Sequence, residues 1–194
     1  MTNFVDVSTE VWDNEYQGGR WDFLSDNTEY ARYNVIYGYI RKYSAKGNVL
    51  DLGCGEGVLY NFIEHSDVTN YTGVDISKVA IKKALERTGG DFHNADISLY
   101  TPCDYFNTIV FNEVLHYLPN PIETINRYLN YSKINGVIIL SLYMPAKAND
   151  LYNKIARSII KGLIRCKDLK IIDRIELTNI LAQKRWQILT AFKT

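Results

Sequence analysis

The stretch Asp51-Leu52-Gly53-Cys54-Gly55-Glu56-Gly57 joins a carboxylate to three glycines at alternate positions. Glycines so placed remove the Cβ atoms that would hold a ligand off the backbone. The apolar run Asn48-Val49-Leu50 precedes the motif, and the helical pattern Val58-Leu59-Tyr60-Asn61-Phe62-Ile63 follows it. The segment therefore reads as strand, turn and helix, with free N–H groups presented at the start of the helix. That chemistry suits a nucleotide-like cofactor. Dinucleotide sites space their glycines G-x-G-x-x-G. Here the spacing is G-x-G-x-G, and the acidic residue Asp51 opens the motif.

Further carboxylates stand where strands should end. Tyr71-Thr72-Gly73-Val74-Asp75 reads as a second strand, and a carboxylate at its end can accept hydrogen bonds from both hydroxyls of a ribose. Phe92-His93-Asn94-Ala95-Asp96 reads as a third. Asn107 to Asn112 forms a fourth and runs into Glu113-Val114-Leu115-His116-Tyr117-Leu118. Gly136 to Leu142 is a fifth, almost wholly apolar, as strands buried on both faces are. His116 and Glu113 fall just past the fourth strand, at the sheet face where α/β proteins bind ligands. They are the candidate general bases, each weighed against a plain packing or capping role. His65 and His93 read as surface or strand residues.

In this order the segments resemble the class I S-adenosylmethionine-dependent methyltransferases, of the small-molecule type. The resemblance covers residues 47 to about 144. It implies an α/β fold, a Rossmann-like doubly wound sheet of seven mostly parallel strands with an antiparallel last strand. The strand patterns Leu169 to Leu177 and Trp186 to Phe192 would supply the tail. S-adenosyl-L-methionine is the implied cofactor. Asp75 with neighbouring Ile76 would take its ribose, and Asp96 with Ile97 its adenine. Gly53, Cys54, Gly55, Gly57 and Asn112 would lie along its methionine part, whose ammonium Asp51 would meet. A sulfonium methyl is transferred by in-line displacement, so the protein must supply alignment and a dry site. A neutral amine acceptor needs no base, whereas a hydroxyl needs one within about 2.6–3.2 Å. Two other readings remain open at this point. One is a non-catalytic member that binds the cofactor to regulate or scaffold a partner. The other is a dinucleotide-dependent oxidoreductase, which the glycine spacing and the paired tail strands disfavour.

The elements that must position these residues divide the chain, read as one domain over 1–194, into three zones. Residues 1–45 would form an N-terminal lid and helices, 46–144 the cofactor-binding βα units, and 145–194 a helix and the tail strands. In the first zone Trp12, Tyr16, Trp21 and Phe23 surround the hinge Gly18-Gly19, and Arg20 offers a fork for a carboxylate. Tyr16 and Arg20 are counted as cofactor contacts. Asp26 and Glu29 fit a capping box opening a helix with Tyr30, Tyr33, Ile36, Tyr37 and Ile40 on one face. After Pro145 a helix carries Lys147, Lys154, Arg157, Lys161, Arg165 and Lys167. This is a solvated face or a positive rim for an anionic acceptor.

Composition narrows the partners. Lysines and arginines number 22, as do aspartates and glutamates, so no net basicity points to nucleic acid. The chain also has no Pro-Pro-aromatic run after the fourth strand, and Pro102-Cys103 comes before that strand. These features leave a small-molecule acceptor, possibly anionic. The odd cysteines Cys54, Cys103 and Cys166 fit reduced thiols rather than disulfides or a metal site. No apolar run approaches the roughly 20 residues of a membrane span, and Met1 to Asp6 lacks the pattern of a signal peptide. A cytoplasmic monomer or homodimer is expected.

Overall fold

The computed structural model describes residues 8–44, 46–145 and 150–194. The expectations for residues 1–7 and for Lys147 fall outside the described residues. Seven strands form one sheet in the order β3-β2-β1-β4-β5-β7-β6. They are β1 (Asn48–Leu52), β2 (Asn70–Asp75), β3 (Asp91–Asn94), β4 (Phe106–Asn112), β5 (Ser132–Tyr143), β6 (Leu169–Asn179) and β7 (Lys184–Lys193). Strands β1 to β5 pair in parallel, and β7 runs antiparallel to both β5 and β6. This is the Rossmann-like, mostly parallel sheet expected, with its last strand reversed. The strand order changes direction between β1 and β4, which creates the crevice where such sheets hold ligands.

Helices cover both faces. α2 (Asn27–Ser44) and α3 (Lys78–Arg87) lie on one side, α4 (Pro121–Leu129) and α5 (Leu151–Arg165) on the other, and α1 (Thr9–Gln17) packs on α3. Alternation along the strands feeds both layers. In β5, Ile138, Leu140 and Leu142 join the α4/α5 core, while Val137 and Ile139 join the α2/α3 core. α5 forms because Asp150 caps it, accepting the Tyr152 N–H at 2.8 Å. Its buried Ala156, Ile159, Ile160 and Leu163 recur at helical spacing. Ser77 caps α3 in the same way, accepting from the Ala80 N–H at 3.1 Å.

Three local expectations are corrected. The segment after the glycine loop is not an α-helix but a 3-10 turn, Leu59–Phe62. It closes with three-residue bonds such as Ile63 N–H to the Tyr60 carbonyl. Ile63 already has extended angles, since few residues separate the turn from β2. The capping box also does not form. α2 starts at Asn27, and the Glu29 carboxylate turns inward to Arg32 and Lys184. The buried stripe of α2 is accordingly rotated. Glu29, Arg32, Tyr33, Ile36 and Ile40 are buried, whereas Tyr30 is 57% exposed.

Candidate functional site

At the carboxyl ends of the strands the glycine loop closes onto β2. The N–H groups of Gly53 and Cys54 both donate to the Val74 carbonyl, at 2.8 and 3.1 Å. Gly55 N–H donates to Asp75 Oδ2 at 2.8 Å, and Ser77 N–H to Asp75 Oδ1 at 2.9 Å. The expectation of free loop N–H groups is thus corrected, because the neighbouring strand already takes them. Gly53, Gly55 and Gly57 all have positive φ, near +77°, +55° and +73°. A Cβ on Gly55 would stand 2.7 Å from the Tyr16 hydroxyl. The glycine is therefore the floor beneath a side chain of α1.

Over this floor lies a cavity of about 590 Å³, a volume ordinary for a small-molecule site. Its loop end is walled by Gly53, Cys54, Gly55 and Asp75 with Ile76. Asp96 and Ile97 line it beyond β3, as do Asn112, Glu113 and His116 beyond β4. Tyr16 and Arg20 close it from the N-terminal side. Two expected residues stand off the wall. Gly57 leaves room for packing instead, since a Cβ there would lie 2.9 Å from Phe92 and 3.3 Å from Ala84. Asp51 lies beneath the loop, 1% exposed, with its Oδ2 accepting from the Tyr71 hydroxyl. Among the described residues its Oδ1 has no hydrogen-bond partner.

Burial controls the charges here. Desolvation raises Asp51 to about 7, although the Tyr71 hydrogen bond opposes it. It raises Asp75 to about 6 against the N–H bonds from Ser77 and Gly55. Asp75 uses one acceptor site per oxygen on those N–H groups, and a carboxylate has about four. It can therefore still receive hydroxyls from the cavity. Asp96 is half-buried, with Oδ1 accepting the Ser98 N–H at 2.8 Å.

The two base candidates differ sharply. Glu113 has φ near +63°, a rare backbone state for a side chain of this size. That kink folds its carboxylate back onto β5. One oxygen accepts from the Ser141 hydroxyl and the other from Tyr143 N–H at 2.8 Å. His116 is buried, and desolvation lowers its proton affinity. Neutral at pH 7, its ring can donate from Nε2 to the Tyr143 carbonyl at 3.2 Å. In that tautomer Nδ1 is left as a proton acceptor. The rings of Tyr152 and Tyr117 lie 5.5 and 6.4 Å from the imidazole.

The N-terminal segment covers the site. Trp12 packs edge-on against Tyr117 at 4.9 Å and beside Trp21 at 5.6 Å. Asp13 ties α1 to the start of α3, accepting from the Ser77 hydroxyl at 2.7 Å and Val79 N–H at 3.2 Å. Burial works against the charge of Asp13, yet these bonds and Lys78 hold its carboxyl below the usual range. Arg20 is mostly exposed and pairs with Glu15 at 3.3 Å.

Sequence reasoning missed the ionic cluster on the opposite wall. Arg32 donates to Glu29 through Nε at 3.0 Å and Nη2 at 2.8 Å, and through Nη1 to Asn112 Oδ1. Lys184 donates to the other Glu29 oxygen at 2.6 Å. The available signal was a Glu29–Arg32 pair on the apolar stripe that holds Ile36 and Ile40. The α5 cations contribute nothing to this wall. Lys154, Arg157, Lys161 and Arg165 are exposed and do not border the cavity, so their positive rim is the solvated face of a helix packed by its other side. Among the described residues no helix is long and apolar enough to cross a membrane, and no group of three or more His, Cys, Asp or Glu residues could hold a metal.

Comparison with known proteins gives a consistent frame. The family model described as a methyltransferase domain matches residues 24–180. Trans-aconitate 2-methyltransferase of Rhizobium rhizogenes is 33% identical over 98 residues, which cover 50% of this chain and 38% of that protein. Ribosomal protein L11 methyltransferase of Thermosipho melanesiensis is 29% identical over 113 residues, 56% of this chain and 43% of that protein. The chain thus spans less than half the length of these curated relatives. Among solved structures, the N-methyltransferase NodS of Bradyrhizobium japonicum WM9, in complex with S-adenosyl-L-homocysteine, superposes with a TM-score of 0.76 at 18% identity. That match covers 93% of this chain and 99% of NodS, and it shows a shared fold.

Proposed function

This chain belongs to the methyltransferase-domain family, and we propose that it transfers a methyl group from S-adenosylmethionine to a small-molecule acceptor at oxygen or nitrogen. The observation that carries the reading is one continuous cavity. It joins the Gly53–Gly55 floor and Asp75 to His116 under a cover of aromatic side chains.

The residues present fit the cofactor. Gly55 leaves a cradle that a Cβ would fill, and Asp75 retains acceptor capacity beside it. Asp75 would hold the ribose hydroxyls, and Asp96 the adenine amino group between Ile76 and Ile97. Asn112 and the loop backbone would flank the methionine part. Bound there, the sulfonium supplies an electrophilic methyl group. The chain's own task is to align the acceptor and exclude water. Trp12, Tyr16 and Trp21 achieve the exclusion with large apolar area at low rotamer cost. For a hydroxyl acceptor, His116 would receive the proton at Nδ1, with Nε2–H held by Tyr143. Glu113 is better suited to shape the wall, since both its oxygens are engaged by β5.

A small acceptor is favoured over a protein side chain because the cover closes directly on the strand ends. α1 is latched to α3 through Asp13, and Trp12 seals against Tyr117. Candidate acceptors can be screened by mass spectrometry for gain of one methyl group. If His116 is the base, His116→Gln lowers turnover of a hydroxyl acceptor by about 10²–10⁴ while cofactor affinity stays constant. Equal turnover in the variant would remove His116 from that role.

A further inference from the structure

The charged wall of the cavity is not balanced. Arg32 alone supplies Glu29 with two N–H bonds, and both side chains are almost fully buried, at 1% and 2% exposure. Glu29 is therefore neutralised before Lys184 is considered. Lys184 adds a second cation to the same carboxylate, at 2.6 Å. Nearby Glu113 makes no ion pair with either cation among the described residues, because Ser141 and Tyr143 hold its oxygens. The Lys184 ammonium sits 4.2 Å from the centre of the Phe23 ring and borders the cavity. An ammonium has three donors. Glu29 is its hydrogen-bond partner among the described residues, which leaves donors facing the cavity side.

We propose that the Lys184 end of the cavity is a carboxylate-binding subsite, and that the methyl acceptor carries a carboxylate anchored there. This rests on the methyltransferase reading and adds the chemical class of the acceptor. The excess over Glu29 is one positive charge, which matches a carboxylate. A phosphate monoester carries about −1.5 to −2 at neutral pH and would be under-compensated. Phe23 and Trp186, both on the wall, offer apolar surface for the body of the acceptor. A half-buried site also strengthens the charge interaction relative to water.

The subsite is held in place from both sides. The β6–β7 hairpin that carries Lys184 docks on the start of α2, where Asn179 Nδ2 donates to the Thr28 carbonyl at 3.1 Å. Arg32 spans from Glu29 to Asn112 at the end of β4. The acid group is therefore an anchor set apart from the methylated atom, separated from the β4 end by the Glu29–Arg32 pair.

The test uses the full chain saturated with S-adenosylhomocysteine and three probes, phenylacetate, neutral 2-phenylethanol and phenyl phosphate, titrated by calorimetry. Phenylacetate should bind at least tenfold tighter than either other probe. Lys184→Met should weaken it at least tenfold with S-adenosylhomocysteine affinity unchanged, and Lys184→Arg should retain it. Four outcomes would overturn the subsite. They are equal binding of the alcohol, tighter binding of the phosphate, no acid binding, or undiminished acid binding by Lys184→Met. Joint loss of acid and S-adenosylhomocysteine in Lys184→Met would make the lysine structural and also overturn it. Failure of the unaltered chain to bind S-adenosylhomocysteine would instead remove the methyltransferase reading itself.

Discussion

Asp75 Oδ2 accepts the Gly55 N–H at 2.8 Å, so the carboxylate at the end of β2 holds the middle of the glycine loop. Its second oxygen accepts from Ser77 at the start of α3. One side chain thereby fixes the loop, the strand end and the helix start together. Removing it has two consequences. Asp75→Ala should weaken S-adenosylhomocysteine binding, because hydrogen bonds to a charged acceptor contribute about 1.5–3 kcal/mol. It should also lower the stability of the ligand-free fold by about 1–3 kcal/mol, since two buried N–H groups lose their partner. Calorimetry and denaturant unfolding measure the two effects separately.

Gly55 and Tyr16 form a second coupled pair. Gly55→Ala places a methyl group 2.7 Å from the Tyr16 hydroxyl and carries the strain of φ near +55°. Left-handed strain alone is worth about 1–2 kcal/mol. The variant should bind cofactor weakly. Adding Tyr16→Phe removes the oxygen and should restore part of the affinity. A double-mutant cycle with no coupling would show that the two residues act independently.

The buried carboxylates predict an unusual pH dependence. Asp51 and Asp75 rise from 3.8 to about 7 and about 6 in the folded chain. Above about pH 4 the unfolded chain releases these protons while the folded chain keeps them. The contribution of these two groups to stability is therefore present in acid and lost as pH rises toward 7. Asp51→Asn keeps an acceptor for Tyr71 without a charge. It should raise the stability of the ligand-free protein at neutral pH and flatten the slope between those limits. Chemical denaturation across pH reads this directly, and an unchanged slope would exonerate Asp51.

The Asp13 latch makes the cover testable. Residues up to about 25 should order further over bound cofactor, and Asp13→Ala should loosen them by removing the bonds to Ser77 and Val79. Hydrogen exchange at amides 10–25 should slow when S-adenosylhomocysteine is added to the unaltered chain. It should slow less in the variant. Equal exchange with and without ligand would mean the segment is fixed packing.

The sheet was legible because its strands are short apolar runs ending in carboxylates, and their order carried the family pattern. Asp75, Asp96, Asn112 and His116 meet at one cavity because each follows a strand. What was not legible depended on contacts distant in sequence. The glycine-loop N–H groups looked free, since nothing local shows that Val74 and Asp75 take them. Glu29 looked like a capping residue because its true partner, Lys184, lies 155 positions away. Gly57 looked like part of the ligand cradle, yet Phe92 and Ala84 explain it by packing.

The central claim is that the cavity above Gly55 and Asp75 binds S-adenosylmethionine. A calorimetric titration of the folded chain with S-adenosylhomocysteine, beside a Gly55→Val control, tests it most directly. The account predicts one site of micromolar affinity, roughly −8 kcal/mol, lost in the variant while its fold persists. No heat with the unaltered folded chain, or equal binding by Gly55→Val, would contradict it.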